Sequence, residues 1–429
     1  MQICTLKQVS MLLQFSVKNF RSFKGEQFIT MVPAKIKGHE QNIANVSPGL
    51  GVLKSAVVYG ANASGKSNFI KAITTLANLI RTSSDKKPKE PFEEYEPFKL
   101  AEETLDKPVV LTIDFFVNSL KYHYEVEFSK ENIEKEKLTF YPHRYEALIF
   151  ERVHGTYRFG EYFRGPKKFL MQITANNQLF LSKASVNNVK LFTPIFEYFN
   201  SYRSNITKNG VYVPTWMWEP FMREELTEEL NKNKPGFVNK INKLISVFDT
   251  GIESIEMKEK KSNVFGWDFS NTEIYANHKF SNGGKKGNLT RLKIEEESTG
   301  TQKLLAISVM IIKAFENGSV VFFDEIGSSL HPYISRFIIN LFNNPKINKN
   351  NAQLIAATHD ATLLSEETNL RRDQIWIVEK DDEGASELFS LADMKGVRDN
   401  VPFEKWYLSG RFGGVPNIEG LQLEFDNAR

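Results

Sequence analysis

Gly60-Ala61-Asn62-Ala63-Ser64-Gly65-Lys66-Ser67 decides how the rest of the chain is read. It fits the spacing GxxxxGK[ST], in which glycines let the backbone wrap so that successive N–H groups point at phosphate oxygens. The flanks supply the context this spacing needs. Val52 to Tyr59 (VLKSAVVY) reads as a strand running into Gly60. Behind the loop, Phe69, Ile70, Ile73, Leu76, Leu79 and Ile80 recur at helical spacing. A helix that starts at the loop presents its N-terminus to an anion. The candidate binding residues are therefore Gly60, Asn62, Ala63, Ser64, Gly65, Lys66, Ser67 and Asn68. Lys66 brings positive charge to the β and γ phosphates, and the Ser67 hydroxyl is a ligand for Mg²⁺. The expected ligands are a nucleotide and Mg²⁺.

Working outward, Val320-Val321-Phe322-Phe323-Asp324-Glu325 is an apolar run ending in two carboxylates. Buried parallel strands read as such runs, and ligand groups sit at their C-terminal ends. Asp324 is the second candidate metal ligand, and Glu325 the candidate general base for the attacking water. A second apolar strand, Leu354 to Thr358, ends in His359, placed to hydrogen-bond the γ-phosphate and the water. Upstream, Glu297-Ser298-Thr299-Gly300-Thr301-Gln302-Lys303 precedes the helical run LLAISVMIIKAF. Ser298 stands where an N-cap belongs, so Ser298, Gly300 and the helix N-terminus form a candidate anion site. A nucleotide on Lys66 of the same chain does not easily fill it; one on a second copy does.

The composition bounds the rest. The chain has 429 residues, with 55 Lys plus Arg against 52 Asp plus Glu, so bulk charge gives no affinity for nucleic acid. At 41% hydrophobic residues it can bury a large core, and its 34 phenylalanines fit one. The single cysteine, Cys4, excludes disulfide frameworks and multi-cysteine zinc sites and suits a reducing compartment. No apolar run approaches the roughly 20 residues that cross a bilayer. The expectation is a cytoplasmic protein with no membrane role. LLQFSVKN (Leu12 to Asn19) alternates like a half-buried strand, directly after Met11, which is either internal or the biological start. LTIDFFVN, KYHYEVEF and EALIFERV read as an antiparallel meander, and helical spacing returns from about Ala184 to Ile245. Glu253 to Leu292 is strand-like again, broken at Asn282-Gly283-Gly284. The last part alternates strand and helix, including a helix near Leu363, and predicts a parallel sheet covered by helices. The division expected is residues 1–100 and 293–429 as two parts of one head, 101–180 as an antiparallel β lobe, and 181–292 as a helical and β insertion.

The order phosphate loop, ESTGTQK, VVFFDE, SSLHP and ATHD resembles the ABC-class ATPases of the SMC and RecF-like branch. ESTGTQ corresponds to their signature, with Thr299 and Thr301 departing from it. The ending LFSLADMKGVRDNVPFEKWYLSGRFGGVPNI is similar to a narrower set, compact arm-less AAA family ATPases often encoded in phage-defence and abortive-infection loci beside a separate effector gene. The resemblance implies an α/β P-loop NTPase head of ABC type with a mixed sheet, an antiparallel β lobe and a helical insertion lobe. It also implies ATP hydrolysis, a head-to-tail homodimer or higher homo-oligomer around ATP, action of Ser298 and Gly300 in trans, and a D-loop at Ser328, Ser329 and His331. A separate effector, with a nuclease-like one among the candidates, is the implied partner. The family's Q-loop glutamine has no counterpart: the only glutamines between Lys66 and the signature are Gln172 and Gln178. Arg21 sits where related proteins carry an arginine near the nucleotide; a solvated turn arginine is the alternative. The rival function is a RecF-like DNA-repair ATPase.

Three other stretches are candidates. Tyr157 to Phe169 mixes Arg158, Arg164, Lys167 and Lys168 with aromatics, as a nucleic-acid surface or as a two-sided hairpin. His278 to Arg291, with Lys279, Lys285 and Lys286, reads as an exposed hairpin. Arg398, Tyr407 and Arg411, near Gly410, Gly413 and Gly414, either dock a partner or close the C-terminal part.

Overall fold

Alternation along the apolar runs builds a central sheet with two buried faces. The computed structural model describes residues 9–47, 49–205, 235–248, 251–264, 267–279, 289–328, 330–398 and 401–415. The central sheet is formed by β5 (Ser55–Tyr59), β11 (Arg203–Ser204), β15 (Val320–Phe323), β16 (Gln353–Thr358), β17 (Ile375–Lys380) and β18 (Ser386–Ser390). Their order is β11-β15-β16-β5-β17-β18, parallel throughout except for the antiparallel edge strand β18. Ala56, Val58, Phe322 and Ile355 face one core, and Val57, Tyr59, Phe323 and Ala356 face the other.

The first core lies between this sheet, α1 (Lys66–Thr82) and a seven-stranded antiparallel sheet. That sheet comprises β1 (Met11–Lys18), β2 (Gln27–Thr30), β6 (Val109–Val117), β7 (Leu120–Phe128), β8 (Ile133–Tyr141), β9 (Ala147–Val153) and β10 (Thr156–Phe159). Its order, β10-β9-β8-β7-β6-β1-β2, joins the meander directly to the N-terminal strands. The boundary expected at residue 100 thus runs between strands of one sheet. Short helices α2 (Lys167–Ile173), α3 (Phe180–Val186) and α4 (Thr193–Asn200) add Phe180, Phe192 and Phe199 to this core, where rings pack edge-on or tilted at 4.8 to 6.1 Å.

The second core holds α5 (Pro235–Phe248), α6 (Thr299–Asn317), α7 (Pro332–Asn343) and α8 (Phe403–Leu408). A three-stranded antiparallel sheet, β12 (Ile252–Val264), β13 (Trp267–Lys279) and β14 (Leu289–Lys293), leads into α6. Asn282-Gly283-Gly284, Lys285 and Lys286 lie outside the described residues.

Two expectations change. VLKSAVVY is not one strand: β4 (Leu50–Leu53) pairs with β3 (Ile43–Ser47), and the chain changes sheets at Lys54. Lys54 is 2% exposed, its Nζ donates to Gln41 O at 2.9 Å, and its carbonyl accepts from Leu354 N at 2.9 Å. The helix expected near Leu363 is a pair of single 3-10 turns, Ala361–Leu364 and Glu366–Thr368. Asp360 caps the first through Thr362 N at 3.0 Å, and left-handed Asn369 (φ 55) ends the second. Among the described residues, no helix is long and apolar enough to cross a membrane.

Candidate nucleotide site

Parallel strands deliver their C-terminal ends to one edge of a sheet. Here four ends converge on the phosphate loop: Tyr59 leads into Gly60, Phe323 into Asp324 and Glu325, Thr358 into His359, and Ser204 into Asn205. Gly60 and Gly65 are required by packing. A Cβ on Gly60 would meet Val378 O and Ser64 Oγ at 2.5 Å, and Gly65 has φ +120° with the hydroxyls of Ser386 and Ser22 filling the space a side chain would take. Gly65 is the N-cap of α1 and brings no side-chain cap, so the first amides of the helix are left to an anion. Lys66 is buried, and its Nζ donates to Gly60 O at 2.8 Å and Ala61 O at 3.0 Å, folding over the loop. Among the described residues, Ser64 Oγ is buried in the loop without a hydrogen-bond partner.

Ser67 Oγ donates to Asp324 Oδ1 at 3.0 Å, bringing together the two expected metal ligands from positions 257 residues apart. Hard oxygens in this number suit Mg²⁺, which takes its remaining ligands from phosphate and water. Burial raises the Asp324 carboxyl above its ordinary range, with Glu325 adding to the rise, while Ser67 and Lys66 oppose it. Burial likewise lowers Lys66, and Glu325 and Asp324 pull it back. Glu325 lies beside the loop with φ 54°, a left-handed conformation uncommon for a non-glycine residue. Its Oε2 is 2.7 Å from His359 Nδ1. The phosphate loop, the carboxylate pair and the histidine therefore form one site whose donor set fits ATP and Mg²⁺.

Ser298 caps α6, its Oγ accepting from Thr301 N at 3.1 Å, as the sequence suggests. Among the described residues, neither Ser298 nor Gly300 hydrogen-bonds to Lys66, Ser67, Asp324, Glu325 or His359. Arg21, at φ 51°, pairs with Glu96 through Nε at 2.9 Å and donates to Asn68 Oδ1 at 2.8 Å. It is thus fixed beside the start of α1, lining a cavity of about 290 Å³ with Ser22, Asn68 and Lys380. His331 caps α7 from Tyr333 N at 3.3 Å, and Ser329 lies outside the described residues.

Two features were not visible in the motifs. Asn205, 2% exposed, donates Nδ2 to Asp324 O at 2.6 Å and accepts from Asp324 N at 2.7 Å, clamping that expected metal ligand through its backbone. Ser386 on β18 donates to Ser64 O at 2.5 Å and meets Ser22 Oγ at 2.7 Å, which also accepts from Asn68 Nδ2 at 2.8 Å. Both partnerships join segments far apart in sequence and depend on a β11 of two residues and an edge strand. Gln178 is structural, donating to Ser84 O and Lys86 O, and Gln172 is exposed on α2.

The Tyr157 to Phe169 stretch divides between core and surface. Phe163 is 1% exposed, Arg158 pairs with Glu151 at 2.8 Å, and Lys167 lies over the rings of Phe159 and Phe163. Arg164 and Lys168 remain exposed. Tyr407 closes the C-terminal part: its ring packs on Tyr59 at 5.6 Å and its hydroxyl donates to Gly414 O at 3.0 Å, against the Gly60 backbone. Arg411 stacks on Trp406 at 4.3 Å.

A phosphate loop on a middle strand of a parallel sheet, with Asp324 and Glu325 two strands away and His359 between, defines a P-loop ATPase of the ABC and SMC-like class. Residues 55–365 match the family described as "AAA domain, putative AbiEii toxin, Type IV TA system". The chain belongs to that family, and the match spans more than two thirds of it. Among solved structures it is similar to the SmcHead bound to the C-winged helix domain of ScpA, at 14% identity and TM-score 0.45 over 88% of this chain and 97% of that one. It is also similar to the SMC head domain from Thermotoga maritima, at 16% identity and TM-score 0.40 over 88% of this chain and 98% of that one. A third is the Smc head with an extended coiled coil bound to the C-terminal domain of ScpA derived from Pyrococcus furiosus, at 13% identity and TM-score 0.41 over 89% of this chain and 96% of that one. These likenesses are distant, and the class rests on strand order, loop geometry and the family match. No curated protein matches the chain as a relative.

Proposed function

We propose that the protein is an ATP-hydrolysing molecular switch that closes as a head-to-tail homodimer around ATP and Mg²⁺ and reopens on hydrolysis. The observation that carries the reading is the meeting of Ser67, Asp324, Glu325 and His359 around one phosphate loop. Lys66 and the α1 amides hold the triphosphate. Ser67 and Asp324 hold Mg²⁺, which when bound neutralises developing phosphate charge. Glu325 accepts a proton from the attacking water, and His359 fixes the carboxylate through the Nδ1–Oε2 contact. Ser298 and Gly300 act on the nucleotide of the partner subunit; Ser298 is exposed at the α6 N-terminus and unengaged with its own site, which supports this role.

Closure that depends on the γ-phosphate lets an attached protein feel the nucleotide state. We place this switch in bacterial anti-phage defence, acting with a separate effector protein. The family description, which names a toxin and a toxin–antitoxin system, supports that setting. The test is Glu325→Gln. It should lower ATP turnover about 100-fold or more, the range for losing a general base, while ATP and Mg²⁺ convert monomer to dimer in light scattering. Turnover at the native rate would remove Glu325 as base, and a variant that stays monomeric with ATP would remove the dimer.

A further inference from the structure

Lys303 stands one turn into α6, past Ser298 and Gly300, and points into the protein: it is 4% exposed, beside Leu304 and Leu305 in the second core. A charge buried at that depth costs desolvation that a methionine of similar length would avoid. What the ammonium does there is specific. Its Nζ donates to Ser328 O. Ser328 ends the turn that leaves β15, closed by Ser328 N donating to Glu325 O at 3.0 Å. Glu325, in its left-handed conformation, occupies the first position of the same turn and attracts Lys303 electrostatically. Burial brings the ammonium down to about 8, and Glu325 acts against that fall. A single side chain thus bridges the signature helix and the turn that carries the general base.

In the dimer these two elements serve different nucleotides. The N-terminus of α6 faces the ATP on the partner, whereas Glu325 faces the ATP on its own chain. We propose that Lys303 is a positioning residue that couples the two sites, holding the Glu325–Ser328 turn in register with α6 so that engagement of the signature by one ATP sets the carboxylate over the other. This rests on the dimeric reading above. A rigid link from helix to turn transmits a small shift because a packed core moves between discrete arrangements instead of deforming smoothly.

The test uses Lys303→Met, which keeps the aliphatic stem, and Lys303→Arg, which keeps a charged donor. In Lys303→Met, kcat should fall about 10- to 100-fold, the effect of losing one charge-assisted hydrogen bond at the base. ATP affinity should stay within about twofold, and the Hill coefficient for ATP hydrolysis should fall to about one, since the sites no longer communicate. Lys303→Arg should restore most of kcat and the cooperativity. Native turnover and cooperativity in Lys303→Met overturn the link, as does a loss of ATP affinity that matches the loss of kcat, or an arginine variant no better than methionine. If Lys303→Met does not fold, Lys303→Gln, which keeps a donor without the charge, is held to the same criteria. Glu325→Gln separates the two ideas: if it dimerises with ATP while Lys303→Met behaves as native, only the link fails, and if it stays monomeric, both do.

Discussion

Replacing Asn205 by alanine should loosen the metal-side carboxylate without touching it. The Asn205 amide makes two short bonds to the Asp324 backbone, 2.6 Å to its carbonyl and 2.7 Å from its N–H, and both partners are buried. Alanine removes both bonds and leaves two main-chain groups unsatisfied. Each stranded group costs about 1–3 kcal/mol, so the loss is about 2–6 kcal/mol of stability, read as a lower urea midpoint at constant slope. The functional effect should be selective. Asp324 meets Ser67 at 3.0 Å, so displacing its backbone spoils the metal side of the site first. ATP affinity should therefore fall several-fold more with Mg²⁺ than with EDTA. A double-mutant cycle with Ser67→Ala should give a coupling of about 0.5–3 kcal/mol for Mg²⁺-dependent binding. An Asn205→Ala protein that unfolds at the native urea concentration, or loses affinity equally with and without Mg²⁺, refutes the reasoning.

Other substitutions test the remaining parts of the site. Asp324→Asn should abolish Mg²⁺-dependent turnover yet raise stability at pH 7 in metal-free buffer. The Asp324 carboxyl is raised above 3.8 mainly by burial, so its contribution to stability is full below that value and declines as pH rises through the higher folded pKa; the advantage of asparagine should vanish by about pH 4 in urea titrations. Gly65→Ala should lose ATP binding in calorimetry, because φ +120° and the hydroxyls of Ser386 and Ser22 leave no place for a methyl. Tyr407→Phe should cost about 1 kcal/mol in unfolding through the lost bond to Gly414 O, while Tyr407→Ala, which also empties the face of Tyr59, should cost about 3–5 kcal/mol.

The legible parts of the chain are those where one local pattern does one local job. Gly60 to Ser67 declares its strand, loop and helix because the glycines and the helical apolar spacing are contiguous. Val320 to Phe323 and Leu354 to Thr358 are legible as strands because buried parallel strands are uniformly apolar. The Ser298 cap was visible for the same local reason. What stayed hidden joins distant segments. Asn205 has an ordinary turn residue's identity and follows a two-residue strand too short for periodicity, and its partner is 119 positions away. Ser386 meets Ser22 across 364 positions, through hydroxyls whose role depends only on where the edge strand lands. The aromatic and basic mixture around Tyr157 supported two readings because alternation cannot say which face of an edge hairpin is covered; Phe159 and Phe163 turn inward and draw Lys167 over them.

The electrostatics of the site bear on why such a protein would act as a switch. Lys66 is lowered and Asp324 raised by the same cause, burial, and each is partly corrected by the other. Neither is fully compensated within the chain: Lys66 Nζ has only the carbonyls of Gly60 and Ala61 as hydrogen-bond partners among the described residues, and Asp324 has Glu325 as a like-charged neighbour. In the proposed complex a magnesium–triphosphate would supply what each lacks, anionic oxygens to Lys66 and a divalent cation to Asp324. Its binding energy is then drawn from desolvation already incurred on folding, so less has to be spent on ordering the site. The same reasoning makes the γ-phosphate decisive. Once it leaves, Lys66 loses its anionic partner and Glu325 a like-charged neighbour, and the left-handed Glu325 backbone is the element with strain to release. In the proposed switch, hydrolysis is thereby tied to movement of the Glu325–Ser328 turn, the segment whose Ser328 carbonyl accepts from Lys303.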